Sequence, residues 1–388
     1  MFRLPSILQW SSILLCIAVA LLVALGLTML ASTSVWVHGV EEPHFFVHKQ
    51  IIMAAVGLVT AIVVAGISPD WLRKGAPWLL AVTCVMLALC LVPGVGTEIY
   101  GSKRWLHIPL LGNFQPSELA KIITVISLSA WFARWQTEVR GFWHGFVIPG
   151  AIAVAPLLLI AAETDVGSAL TLSIVVGAIL FCMGSRFIYI IPTALSVISV
   201  IGYYIRHNDN RWARILAWWN LEDPAQQIGV GMQQWRALLA LGNGGPWGVG
   251  LGNGVEKFGT LTFAHIDFIF PVVGEELGLP ATLGVVLCFV LVAVAGIGIA
   301  VQATNVFNRC LALGLTCVLV VPAVQNIAVT TASLPNDGLP LPFVSFGGSS
   351  LLFSLIAVGM LVGIHRRSQC VPNEEFALNQ KTRLAVRL

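Results

Sequence analysis

Ten nearly unbroken apolar runs divide the chain, at 11–33, 50–67, 76–92, 117–135, 146–162, 166–184, 187–204, 279–300, 310–332 and 343–364. A helix needs about 20 apolar residues to cross the hydrocarbon of a bilayer, so each run predicts a membrane span. The first run follows Arg3 and ends near "LAS", which resembles a signal cleavage site. Its apolar stretch from Ile13 to Leu30 is longer than the roughly 7–15 residues of a signal sequence, and it reads as a retained span. The fold class is therefore an all-α polytopic membrane protein. A single ten-span domain covers 1–367, and a polar tail follows at 368–388. No internal repeat is visible, which counts mildly against transporter folds built from inverted halves.

Polar positions concentrate in the segment 205–275, far longer than a connection between neighbouring helices requires. Within it, "NRWARILAWWNLED" spaces Trp212, Ile215, Leu216 and Trp219 as one helical face, with Arg211 and Arg214 available to reach headgroups. "DPAQQIGVGMQQWRALLALG" offers Asp223 as an N-cap, Pro224 at the first helical position, and a stripe of Ile228, Met232, Trp235 and Leu239 ending at Gly242. Both segments predict amphipathic helices lying on the outer membrane face. The following "GNGGPWGVGLGNG" has no nucleotide-loop spacing. It reads either as an irregular flexible loop or as backbone that closely approaches a large polar ligand, its amides free for diphosphate or sugar oxygens.

Composition supports lipid exposure: 57% of residues are apolar and only 10% charged, with a mean hydropathy of +0.88. The net charge of +3 is too small and scattered for nucleic acid. Its distribution is more informative. With the N-terminus inside, Arg3, Arg73, Lys74, Arg134, Arg140, Arg186, Arg309, Arg366 and Arg367 fall on the cytoplasmic side, leaving Lys49, Lys103 and Arg104 in short outer loops. Both termini are then cytoplasmic. Seven of the eight cysteines lie in apolar runs and the eighth, Cys370, in the tail, so no disulfide framework is expected.

The candidate chemistry lies at the outer ends of the spans. Asp267, in "AHIDFIFPVVGEELG", is either a helix-start carboxylate favoured by the macrodipole or a base whose proton affinity is raised by apolar neighbours. Glu275 and Glu276 directly precede the eighth apolar run and fit the wet start of a helix. Arg104 and Trp105 are either an interfacial anchor or a phosphate-holding pair. Glu118 and Lys121 form an i,i+3 pair, with Lys121 about one turn into lipid. Asp165 marks a tight outer turn or faces the same cavity. The proline- and glycine-rich run "PNDGLPLPFVSFGGSS", which contains Ser345, breaks the entry to the last span, and such a break requires burial or a wet cavity. His44 and His48 lack a third metal ligand at matching spacing. Span interiors show almost no charge apart from Lys121, unlike a proton-coupled transporter.

"GSKRWLHIPLLGNFQPSELAKI", "GVGLGNGVEKF", "AHIDFIFPVVGEELG" and "GLPLPFVSFGGSS" resemble, in order and over all ten runs, the SEDS (shape, elongation, division and sporulation) family, which includes FtsW, RodA and SpoVE. The resemblance implies a peptidoglycan glycosyltransferase polymerising lipid II, the undecaprenyl-diphosphate-linked disaccharide peptide, at the outer face of the bacterial inner membrane. It also implies a class B penicillin-binding protein as transpeptidase partner, with other divisome or elongasome membrane proteins, and it leans towards the FtsW-like branch. The family's essential outer acid falls on Asp267 as catalytic base, and Arg104, Trp105, Glu118, Lys121, Asp165, His265 and Ser345 become substrate-binding candidates. No cofactor is required by sequence, and a divalent cation (Mg or Mn) could share the diphosphate charge. A lipid II flippase and a non-catalytic scaffold are the alternatives. The chain departs from the family pattern at Ile266 for threonine, Gly259 for glutamate, Asp337 for lysine, and Glu163-Thr164 for Gln-Pro.

Overall fold

A computed structural model of the chain describes residues 10–34, 44–99, 102–108, 112–258, 261 and 263–369. Gly259 and most of the tail expected at 368–388 lie outside the described residues. Helices α1 (Ser11–Ser34), α2 (Phe45–Gly66) and α3 (Pro69–Leu91) come first, followed by strands β1 (Gly96–Ile99), β2 (Ser102–Ile108) and β3 (Gly112–Phe114). Next are α4 (Pro116–Arg134), a π turn (Trp143–Val147) continuous with α5 (Ile148–Ala162), α6 (Val166–Met183) and α7 (Phe187–Arg206). Three short helices follow: α8 (Asp209–Trp219), α9 (Pro224–Gln227) and α10 (Met232–Gly244). The chain closes with α11 (Ile269–Gln302), α12 (Val306–Thr330) and α13 (Gly348–Gln369).

Among the described residues nine helices are long and apolar enough to cross a membrane. The run expected at 117–135 is helical as α4, but it carries Glu118, Lys121 and Arg134 in 19 residues and falls outside that set. Its burial explains how it holds those charges: α3, α5, α12 and α13 pack around it, so Glu118 and Lys121 face protein. Small residues bring other helices close. Alanine at Gly359 of α13 would place its Cβ 2.3 Å from the Ala61 carbonyl oxygen of α2, and Gly363 meets Ala65 one turn on. By contrast α7 buries no residue and presents apolar side chains outward.

Because successive long helices run up and down, the described residues of 93–115, 163–165, 207–268 and 331–347 share one end. The Arg-rich turns at Arg73, Arg140, Arg186, Arg309 and Arg367 share the other. Contacts across the first end hold these segments together: Gln115 N–H donates to Ser349 Oγ (3.1 Å), Arg211 Nη2 to the Thr164 carbonyl (2.9 Å) and Phe346 N–H to the His265 carbonyl (2.9 Å).

Several expectations need correction at this end. The expected helical membrane fold stands, with a small three-stranded antiparallel meander, β1-β2-β3, added to it. Gly278 (φ 75°, ψ −169°) divides α11 before Pro280 into two helical parts: the second starts at 279, where the eighth run was expected, and an additional helical part from Ile269 precedes it. Glu275 and Glu276 consequently sit inside the upper half, 0% and 1% exposed, not at a wet helix start. They also add charge to a span interior that the sequence assigned to Lys121 alone. Asp223 does cap a helix, accepting from Ala225 N–H (3.0 Å), but α9 stops at Gln227 and Ile228 is 83% exposed. The helix resumes as α10, whose buried stripe is Gln234, Ala237, Ala240 and Gly244, packed on α11. Arg211, expected to be available to headgroups, donates to the Thr164 carbonyl.

The glycine-rich loop serves the kink. Val249 and Gly250 N–H groups donate to the Glu275 and Glu276 carbonyls (2.9 and 3.0 Å), and Leu279 N–H to the Gly245 carbonyl (3.2 Å). Backbone amides also take the carboxylates: Gly252 N–H meets Glu276 Oε2 (2.9 Å) and Val255 N–H meets Glu275 Oε1 (3.0 Å). These amides, offered by the sequence to a diphosphate, are occupied by the protein's own anions. Gly248, at φ +76°, is positioned so that a Cβ would lie 2.3 Å from the Glu276 carbonyl oxygen. Gly248→Ala is therefore expected to cost at least the ~1–3 kcal/mol of overpacking, read as a lowered Tm in detergent. Gly242→Ala, with open space around its Cβ, should leave Tm within about a degree.

Candidate active site

Asp267 lies in the last turn before α11, where Asn326 of α12 holds its backbone: Asn326 Nδ2 donates to the Asp267 carbonyl at 2.7 Å. Burial, then the nearby Asp337, raises its carboxyl to about 7, while Arg104 and Arg214 draw it down and Asp165 adds to the rise. Four segments thus converge on one carboxyl: strand β2, the cap of α6, helix α8 and the loop before α13. A carboxyl half-ionised near neutrality is the state a general base needs.

Asp165 caps α6 through Ser168 N–H (3.1 Å), accepts from Gln115 Nε2 (3.2 Å), and meets Arg104 Nη1 at 3.5 Å. Arg104 is thereby steered over the site, and its buried Nε has no partner. Trp105 follows on β2 opposite Thr97. Glu163 lies behind them, its carboxyl pushed up to about 8 by burial and then by Asp165, with the Cys90 thiol and Arg104 opposing. Between the two acids, Thr164 takes a left-handed backbone (φ 63°), a strained geometry held by Arg211 and by Ser102 (3.3 Å between hydroxyls).

The remaining sequence candidates occupy adjoining places. His265 packs its ring on Phe46 (centroids 4.7 Å apart), and burial lowers its imidazole to about 4, so it is neutral near pH 7. Ser345 closes a turn, its hydroxyl accepting from Leu341 N–H (2.8 Å). Glu118 and Lys121 pair at 2.8 Å on the wall of a separate cavity beneath the 335–347 loop, lined also by Leu339, Pro340, Pro342 and Phe353. The structure therefore brings Asp267, Arg104 and Asp165 together and places Glu118 and Lys121 across the loop from them.

Arg214, Asp337 and Asn326 were not among the sequence candidates. Arg214 read as a headgroup contact, Asp337 only as a departure from a pattern, and Asn326 lay unmarked inside an apolar run. Among the described residues no three His, Cys, Asp or Glu side chains converge on a metal-binding geometry.

Comparison with known proteins agrees with this architecture. A family model described as "Cell cycle protein", covering FtsW, RodA and SpoVE, matches residues 12–370. A Trichlorobacter lovleyi protein named as a probable peptidoglycan glycosyltransferase FtsW is 36% identical over 373 residues, covering 95% of this chain and 97% of its own. A Geobacter sulfurreducens protein of the same name is 35% identical over 369 residues, covering 94% and 97%. Among solved structures, a chain from a peptidoglycan synthase complex, described as coordinating polymerization and crosslinking, superposes with a TM-score of 0.74 at 25% identity, covering 92% of this chain and 98% of that one. Thermus thermophilus RodA gives 0.65 at 25% identity, covering 91% and 95%. The chain belongs to the FtsW/RodA/SpoVE family of polytopic membrane proteins.

Proposed function

We propose that the chain is a peptidoglycan glycosyltransferase that polymerises lipid II at the outer face of the inner membrane, with Asp267 as general base. The observation that carries this reading is the placement of Asp267: a partly buried carboxyl, poised near neutrality, under two arginines at the end of the bundle where the long loops meet. Asp267 takes the proton of the acceptor sugar's hydroxyl as that oxygen bonds to the donor sugar and the lipid diphosphate leaves. Arg104, with an uncommitted buried Nε, and Arg214 supply positive charge for the departing diphosphate. Trp105 adjoins Arg104 on β2, and Lys121, paired with Glu118 in the neighbouring cavity, is a further candidate for contact with the lipid-linked substrate. A Mg or Mn ion bound to the diphosphate would share its charge, with no cluster of carboxylates, histidines or cysteines among the described residues to hold it independently. The arginine-rich turns lie inside by the positive-inside rule, which makes both termini cytoplasmic. The FtsW names of the relatives favour the division branch, with a class B penicillin-binding protein as partner.

The base must be ionised to act, so the reading fixes the sign of the pH dependence. A carboxyl raised to about 7 is protonated and idle below that pH. The polymerisation rate should rise with pH through about 7, measured as initial rates from lipid II. A rate already flat from about pH 5 upward would contradict it.

The test is the purified chain with its penicillin-binding partner and lipid II. Glycan polymer from the pair supports the enzyme reading. No polymer, together with lipid II translocation in liposomes, supports a flippase. Neither activity, with the partner still bound, supports a scaffold.

A further inference from the structure

Asp337 is a charged group at the site that the proposed mechanism leaves without a task. It sits in the loop leading to α13, and the structure presses that loop onto Asp267. Asn336 Oδ1 accepts from Gly338 N–H (3.2 Å), turning the chain through Gly338 at φ +74°. A Cβ on Gly338 would lie 3.4 Å from Asp267 Oδ2, so the two segments are in contact. Asn326, 1% exposed, clamps them: the same Nδ2 donates at 2.7 Å to the Asp267 carbonyl and at 2.7 Å to the Leu339 carbonyl. On the far side, Gly167 of α6 admits the loop, since a Cβ there would meet Leu339 at 2.9 Å and the Asp337 carbonyl oxygen at 3.3 Å. Asp337 Oδ1 is buried with no hydrogen-bond partner.

We infer that Asp337 is a positioning residue that forms a carboxyl pair with Asp267, clamped by Asn326, so that negative charge on Asp337 opposes ionisation of Asp267 and strengthens it as a base. The inference rests on the reading of Asp267 as the base.

The charged groups around the pair are Arg104 from β2, Arg214 from α8 and Asp165 from the cap of α6. Asp337 is itself raised to about 6, by burial first, with the Leu339 and Asp337 backbone N–H groups and Arg214 opposing and Asp165 adding to the rise. Asp337 is thus the more readily ionised partner. Two interacting carboxyls titrate as a unit, so the macroscopic steps belong to the pair. In the reaction the acceptor hydroxyl's proton moves to an Asp267 oxygen, and its bonding electrons form the new glycosidic bond. The donor carbon–oxygen bond breaks with its pair leaving on the lipid diphosphate. Asp267 then releases the proton to water, and Asp337 ends as it began.

The experiment compares pH–rate profiles of the wild-type complex, Asp337→Asn and Asp337→Glu, with Asp267→Asn alongside. Asp337→Asn should move the acid limb down by about one pH unit and lower the plateau several-fold, because the base is weakened. Asp337→Glu should return the limb towards the wild-type position. A uniformly slower Asp337→Asn enzyme with an unmoved limb overturns the inference and leaves Asp267 as base. An active Asp267→Asn enzyme overturns the reading beneath it. For inactive variants, the Asp267 carboxyl is followed directly by infrared titration, as the difference from Asp267→Asn. Its midpoint should fall in Asp337→Asn, or in Asp337→Ser where the asparagine variant does not fold, and an unchanged midpoint overturns the inference.

Discussion

Replacing Asp267 by asparagine is expected to lower the polymerisation rate by about 100- to 10,000-fold while leaving the protein folded and its partner bound. The amide has the shape of the carboxyl but cannot accept the acceptor hydroxyl's proton. The Asn326 clamp holds the backbone of residue 267 and is untouched by the change. The stability consequence has a definite sign. A carboxyl raised in the folded state to about 7 favours the fold while protonated and penalises it as pH rises through that value. Asparagine removes the penalty, so Tm at neutral or alkaline pH should match or exceed that of the wild type. Lipid II binding should change little, because Arg104 and Arg214 remain. A large fall in kcat with KM within a few-fold is the signature of a group used chiefly in the transition state.

Lys257→Ala is expected to be as damaging to the fold as Asp267→Asn is to the chemistry. Lys257 Nζ lies 2.6 Å from Glu276 Oε1, with side-chain exposures of 1% and 0%, and also donates to Ser32 Oγ and the Gly252 carbonyl, both at 2.7 Å. One ammonium thus ties the end of α1, the glycine-rich loop and the kinked top of α11. Its removal leaves the Glu276 charge buried and unpaired, a loss of about 3–5 kcal/mol for broken pairs of this kind. The expected result is a steep fall in Tm, or in the monodisperse fraction recovered in detergent. The neighbouring pair Arg236–Glu256 gives the contrast: at 3.5 Å, with the arginine side chain 37% exposed, Arg236→Ala should cost no more than about 1 kcal/mol. Equal losses from the two alanine variants would refute the ranking.

The spans were readable because hydrophobic run length is a local property, and bundle helices follow it closely. The upper half of α11 escaped because "VVGEELG" looks like a helix entrance when the partner of its acids, Lys257, lies nearly twenty residues away in a polar loop. The glycines misled for the same reason. Their spacing reports that something approaches closely, and only the fold identifies it as the protein's own kinked helix. The small sheet has strands of three to seven residues, too short to show alternation. Asp267 could be picked out as an isolated acid among aromatics, whereas Asp337, Arg214 and Asn326 gain meaning only from contacts across the bundle.

The central claim is that this chain polymerises lipid II through Asp267. The most direct measurement is glycan strand formation from lipid II by the purified complex, wild type and Asp267→Asn side by side at neutral pH. Strands from the wild type and at most a hundredth as much from the variant in equal time is the predicted result. Equal strand formation by both would contradict it.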